Sequence, residues 1–240
     1  MDAAAVMVLL SRLAALLAGQ SLSPRDGQQV LSAPAPRTPD GKPDLTGVWE
    51  PDGPKYLRNL AADLKPGEVP FQPASEALFK ERERRQAKNE FEAKCLPPGV
   101  PKINAELRLY KIIQTPAVIF ILYEAFDVFR QIFTDGRALP KDPEPTWMGY
   151  SVGKWEGNAL VVDSNGFTEK TWLDDAGHPH TDALHVTERF SRRDSGHIDL
   201  DITIEDPKAY TKPWRVREYA HLVLDKEVRE FVCNDSQNSK

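Results

Sequence analysis

The chain has 240 residues, enough for one large domain or one domain with appendages. Its formal charge of −5 at neutral pH is mild and dispersed, which excludes the basic footprint of a nucleic-acid-binding protein. Twenty prolines against fourteen glycines, most of the prolines ahead of Asp142, predict an extended, irregular first third and a more regular remainder.

Residues 3–18 are apolar except for Ser11 and Arg12 and are followed by Gly19, Gln20 and Ser21. This pattern predicts a signal peptide over residues 1–20 and a periplasmic or secreted protein, although Asp2 stands where a basic start is usual. The run is too short for a membrane span and no other segment could form one, so the mature chain is expected to have none. Residues 21–43, with Ala-Pro-Ala-Pro-Arg-Thr-Pro-Asp-Gly-Lys-Pro at their end, read as a proline-rich linker. A single domain is expected over 44–235, with a tail at 236–240. The two cysteines, Cys95 and Cys233, read in an exported chain as one disulfide, worth typically ~2–4 kcal/mol. In a reducing compartment they would be two buried thiols.

The elements follow in order. Leu45–Glu50 reads as the first strand, with Gly47 and Trp49 on one face. Residues 52–72 have loop chemistry. One helix is predicted over 73–94, with Pro73 in its first turn, Ser75 as a possible cap and Glu76 at the positive dipole end. Its charged stretch from Glu81 to Lys88 reads as a solvated face. Cys-Leu-Pro-Pro-Gly-Val-Pro stops it. From Leu107 the period changes to two. Strands are predicted at 109–114, 118–125, 129–134, 149–155, 159–164, 184–192, 197–205, 214–224 and 228–233, mostly joined by short turns. About ten antiparallel strands without βαβ alternation make the fold mainly β. Such meanders close on themselves to remove exposed edges, giving an antiparallel up-and-down barrel of about eight to ten strands with one N-terminal helix. A two-sheet sandwich is the alternative. The inward face falls on sets such as Val118/Phe120/Leu122 or Val128/Arg130/Ile132, a choice the alternation alone leaves open.

Gly47-Val-Trp49 on the first strand of a meander is similar to the Gly-x-Trp signature of lipocalins and other calycins. That resemblance implies an up-and-down barrel with a ligand cup and a tryptophan packed across its closed end. A longer resemblance is to a group of uncharacterised exported bacterial proteins common in acidobacteria and proteobacteria. It is carried by Arg37-Thr-Pro-Asp-Gly-Lys-Pro-Asp-Leu-Thr-Gly-Val-Trp49, Cys95-Leu-Pro-Pro-Gly-Val-Pro101 and Phe129-Arg-Gln-Ile-Phe-Thr-Asp-Gly-Arg137. It continues through Trp147-Met-Gly-Tyr-Ser-Val-Gly-Lys-Trp-Glu-Gly157, Gly177-His-Pro-His180 and Ile204-Glu-Asp-Pro207. It implies export and a shared architecture, and no particular activity.

The polar chemistry concentrates between Thr146 and Arg193. Three of the five histidines, His178, His180 and His185, fall within eight positions, close to Asp174, Asp175 and Glu188. On a strand His185 and Glu188 point to opposite faces, so the group makes a poor metal site and no metal is assigned. An acid–base reading makes His180 a general base, oriented by Asp174 or Glu188, with Arg137 stabilising developing charge. A binding reading takes Trp147, Trp172, His178, Arg130 and Tyr123 as contacts to a small organic molecule in the cup or at its mouth. The alternative to both is a polar network that closes the barrel end, as in a structural envelope protein. No serine or cysteine sits in a nucleophile elbow, and no phosphate loop, Rossmann glycine pattern or EF-hand is present, so no cofactor is expected. The expectation carried forward is an exported small-molecule-binding barrel, with a lyase, isomerase or hydrolase using the same mouth as the runner-up. The oligomeric state is not legible.

Overall fold

A computed structural model describes residues 29–231. The predicted signal peptide, the first part of the linker and Cys233 lie outside the described residues. Nine strands, β1 (Gly47–Pro51), β2 (Tyr110–Gln114), β3 (Val118–Tyr123), β4 (Val128–Phe133), β5 (Tyr150–Glu156), β6 (Ala159–Asn165), β7 (His185–Arg192), β8 (His197–Glu205) and β9 (Trp214–Val223), form one closed barrel in sequence order. The last strand returns to the first, with Val48 opposite Val223 and Pro51 opposite Ala220.

The odd strand count has a geometric consequence. A ring of strictly alternating strands closes only with an even number, so one neighbouring pair must be parallel. That pair is β4–β5, held by Ile132 opposite Ser151 and Phe133 opposite Val152, while every other pair is antiparallel. The connection over residues 134–149 must therefore carry the chain back along the barrel, which parallel neighbours always require. Pro140, Pro143 and Pro145 keep this stretch extended. The predicted all-antiparallel meander is thus corrected at one seam.

Two further expectations change. The predicted strand at 228–233 is irregular over its described residues 228–231, where the Phe231 amide donates to Asp127 Oδ1 at 2.9 Å. Once β9 pairs with β1 the ring has no edge left for a tenth strand. The helix predicted to Lys94 ends earlier: α1 is the short Lys55–Arg58, unseen in the sequence reading, and α2 spans Pro73–Arg85. Gln86 turns left-handed at φ 49°, and Asn89 spends its side chain on backbone partners, accepting from the Phe91 amide and donating to the Lys170 carbonyl. Such local bonds compete with helix continuation.

Side-chain alternation sorts the barrel cleanly. On β7, Val186, Glu188, Phe190 and Arg192 are buried while the residues between them are only partly so. On β4 the inward set is Val128, Arg130 and Ile132, one of the two named from the sequence. On β3 it is Ile119, Ile121 and Tyr123, so Val118, Phe120 and Leu122 face outward. The two ends differ. Where β1 begins, Trp49 is fully buried, donating Nε1–H to the Leu45 carbonyl at 3.0 Å under the Arg192 guanidinium, 5.0 Å from its ring centre. At the other end β1 stops at Pro51 and β2 starts at Tyr110, so residues 52–109 are an excursion over that opening. The turn Lys102–Ala105 is buried there and plugs the barrel. The connections β6–β7 and β8–β9 emerge at the same end.

Candidate functional site

The loop between β6 and β7 is built around one carboxylate. Asp174 is fully buried and accepts backbone N–H groups from Leu60 at 2.7 Å, Gly177 at 3.0 Å and His178 at 3.1 Å. Gly177 has φ +94°, and a Cβ there would stand 3.0 Å from the side chain of Arg82 on α2, so the loop tip needs glycine twice over. This folding brings His178 Nδ1 to 2.6 Å from Asp174 Oδ2. A carboxylate can only accept, so Nδ1 carries a proton, and in the neutral imidazole Nε2 is left as the acceptor.

His178 is nearly buried, and its ring is clamped by aromatics. Phe71 stacks on it with a 7° interplanar angle and 5.5 Å between ring centres; Phe79 of α2 lies at 4.4 Å and Trp214 of β9 at 5.7 Å. The same histidine opens onto a cleft of about 630 Å³ between α2 and the 59–71 stretch. Phe71 and Phe79 form its apolar wall, and Lys65, Glu76, Lys80 and Glu83 stand among its charged lining. Among the described residues no protein group pairs with His178 Nε2, and His178 belongs to the lining of the cleft. The lining holds no serine or cysteine, so this dyad suits hydrogen bonding or general-base work and not acyl transfer.

A second polar cluster lies inside the barrel, beneath the plug. Arg130 donates Nε–H to Ser151 at 3.1 Å and an Nη2–H to Ser164 at 2.8 Å, and it pairs with Glu188, both side chains being essentially inaccessible. Asn104 of the plug donates to Glu188 Oε1 at 2.7 Å and accepts from the Tyr123 hydroxyl at 2.7 Å. Glu218 completes this layer from β9. Burial, reinforced by the charge of Glu188, holds its carboxyl well above the usual carboxylate range.

The sequence-predicted residues therefore part company. Asp174 orients a histidine as expected, but that histidine is His178. His180 has both ring nitrogens occupied, Nε2 by the Thr171 hydroxyl at 2.6 Å and Nδ1 by the Thr181 carbonyl at 3.0 Å, and burial pushes its pKa down. Glu188, Arg130 and Tyr123 belong to the interior layer and not to the mouth. Arg137 sits on an exposed turn, paired with Asp135 and bonded to the Tyr150 hydroxyl at 3.1 Å. Trp172 is half-buried under the Arg82 guanidinium, 4.2 Å from its ring centre, and Trp147 packs on Phe91, with 6.1 Å between ring centres. His185 starts β7 beside Asp163 at 3.6 Å. Among the described residues no group of three or more His, Cys, Asp or Glu side chains is placed to share a metal ion. Phe71 and Phe79 are not marked by anything local in their sequence surroundings; only the fold brings them to His178.

Comparison with protein families, curated proteins and solved structures finds no match for this chain. Among the described residues no helix is long and apolar enough to cross a membrane.

Proposed function

We propose that this chain is an exported small-molecule-binding protein of calycin-like build. Its ligand sits in the cleft beside α2, stacked against Phe71 and Phe79 and donating a hydroxyl or amine hydrogen to His178 Nε2. The observation that carries this reading is a buried histidine, fixed through Nδ1 by Asp174, in the lining of a ligand-sized cleft. Aromatic walls beside a single fixed acceptor favour flat organic molecules with a hydroxyl, such as phenols. The Cys95–Cys233 disulfide belongs to the same proposal; Cys95 is described, and no described cysteine is a free thiol.

A second reading uses the same atoms catalytically. Asp174 would stabilise the imidazolium formed when Nε2 takes a proton from a bound hydroxyl or water. The experiment is a melting-shift screen of phenolic and hydroxylated aromatic compounds on the wild type, His178→Gln and Phe79→Ala. Hits lost in both variants support the cleft. Hits unaffected by either variant, or no hits at all, count against it. Turnover of a hit that is lost in His178→Gln would select the catalytic reading.

A further inference from the structure

Trp172 has no part in the cleft, yet the loop that holds Asp174 and His178 also presents it to a second cavity. That cavity, of about 430 Å³, lies past the C-terminal end of α2, among the stretch 86–93, the plug and the β6–β7 loop. Its volume is in the range of small-molecule sites. Two side chains of its lining are held by their neighbours. The Arg82 guanidinium lies over the Trp172 ring, 4.2 Å from its centre, and Arg82 Nη1 donates to the Gly177 carbonyl at 3.0 Å. Among the described residues no other ring or cation stacks on Trp172. The Lys102 side chain is 2% exposed, and its ammonium pairs with Glu92 Oε2 at 2.5 Å and with Asp175 Oδ1 at 2.7 Å. The Asp175 side chain is half exposed, and among the described residues Lys102 is the one group paired with its carboxylate, which leaves acceptor capacity at the surface of the cavity.

We propose that this cavity is a saccharide site, in which a neutral pyranose lays a C–H face on the side of the Trp172 ring that Arg82 does not cover, with its hydroxyls on Asp175 and on the exposed Gln86 and Lys88. The lining dictates this class. Its charges cancel, Lys88 and Lys102 against Glu92 and Asp175, so neither an anion nor a cation is favoured. Its apolar part is one indole with Ala87 and Ala93, whereas the cleft offers Phe71 and Phe79 to a flat aromatic guest. A sugar hydroxyl both donates and accepts, so it can serve a carboxylate and an ammonium or amide on the same rim. The ring's C–H groups suit the negative face of an indole. Because Arg82 already fixes the ring and Asp175 is anchored through a buried ammonium, little ordering is left for the guest to impose. The two cavities share no lining residue, so this inference does not rest on the cleft's reading.

The test is a titration with methyl β-D-glucopyranoside, maltose and cellobiose, followed through the Trp172 indole N–H resonance in ¹H–¹⁵N spectra, with Trp172→Phe identifying that signal. A saturable shift with at least one of the three is expected. Binding, read from the Ala87 and Ala93 amides, should be at least tenfold weaker in Trp172→Ala and at least threefold weaker in Asp175→Ala. No saturable shift with any of the three would overturn the proposal. So would an affinity unchanged in Asp175→Ala, or glucosamine or glucuronate binding more tightly than the methyl glucoside. Displacement of the sugar by a phenol that binds the cleft would place it there instead, and would also overturn the proposal. If Trp172→Ala fails to fold, Trp172→Phe, which keeps a smaller ring, and the half-exposed Asp175→Ala decide: sugar binding unweakened in both would sink the idea.

Discussion

The two ends of this barrel close by different means. Where β1 begins, one tryptophan fills the opening; Trp49 is covered by Arg192, whose guanidinium is spent on the Asp44, Ser195 and Asp194 carbonyls. Among the described residues, no buried unpaired side-chain atom belongs to that closure. At the opposite end the closure is assembled from three separate excursions of the chain, and it contains the fixed histidine, the cleft and, on β9, the unpaired Trp214 Nε1 and Glu218 carboxyl. A stopper made from one ring under one fully bonded guanidinium leaves little to adjust. A stopper made from segments distant in sequence leaves seams, and polar side chains with free valences sit along them. The proposed cleft lies at the assembled end, where separate segments leave room between them.

The sharpest way to break the contrast is to attack the layer that both ends depend on. Arg130→Met leaves Glu188 buried without its cation, and it should cost about 3–5 kcal/mol in denaturant unfolding. Arg130→Met with Glu188→Leu should recover much of that, since a hydrophobic pair of similar volume is often neutral or better. A double variant as unstable as the single would show that the layer stabilises through its whole hydrogen-bond network instead. At the simple end, Trp49→Ala should cost about 3–5 kcal/mol by removing a fully enclosed ring. It should leave cleft binding unchanged in whatever protein remains folded. If ligand affinity falls in parallel, the ends are coupled and the comparison is wrong.

At the assembled end, Asp174→Ala orphans three backbone N–H groups and the His178 Nδ1–H, at about 1–3 kcal/mol for each donor that water cannot reach. Cleft binding should go with it, since the histidine loses its tautomer. His178→Gln removes the acceptor while sparing the Asp174 turn. It should abolish the proposed binding with a stability change smaller than that of Asp174→Ala. A His178→Gln protein that melts as low as Asp174→Ala would assign the dyad to structure alone.

How far the sequence could see follows the same division. The barrel was legible because inward and outward residues alternate over most strands, as in β7 and β8, and because turn residues separate them. The parallel seam was not legible: nothing in Phe129–Thr134 records the direction of its neighbour, and only closing an odd ring imposes it. The gathering of Asp174 and the histidine pair in one polar loop was legible from composition. The choice of His178 over His180 was not, because it depends on which ring nitrogen meets Asp174 after Gly177 lets the chain turn back against α2. Glu188 misled for a related reason. It lies near the histidines in sequence, but its place on the inward face of β7 carries it inside the barrel to Arg130.

The smallest expected effect is a pH dependence that separates the two ends without changing any packing. Glu218 is held above its ordinary pKa in the folded chain, by burial first and by Glu188 second. In the unfolded chain it titrates near ~4.3. The folded state therefore binds the extra proton, and its contribution to stability is complete below that value. It is lost progressively as pH rises toward the folded pKa, because the unfolded chain can release the proton first. His180 works in the opposite sense. Burial lowers its folded pKa, so its contribution is present above the unfolded value of ~6.5 and is lost as pH falls. Glu218→Gln should flatten the loss of stability on the alkaline side while leaving the acid side as it is, read as denaturant midpoints across the pH range. At the Trp49 end, Trp49→Phe should shift all midpoints together and leave both slopes intact. A slope that survives Glu218→Gln would place the titrating group elsewhere, with Glu106, pushed up to about 7 by burial beside the plug, the next to replace.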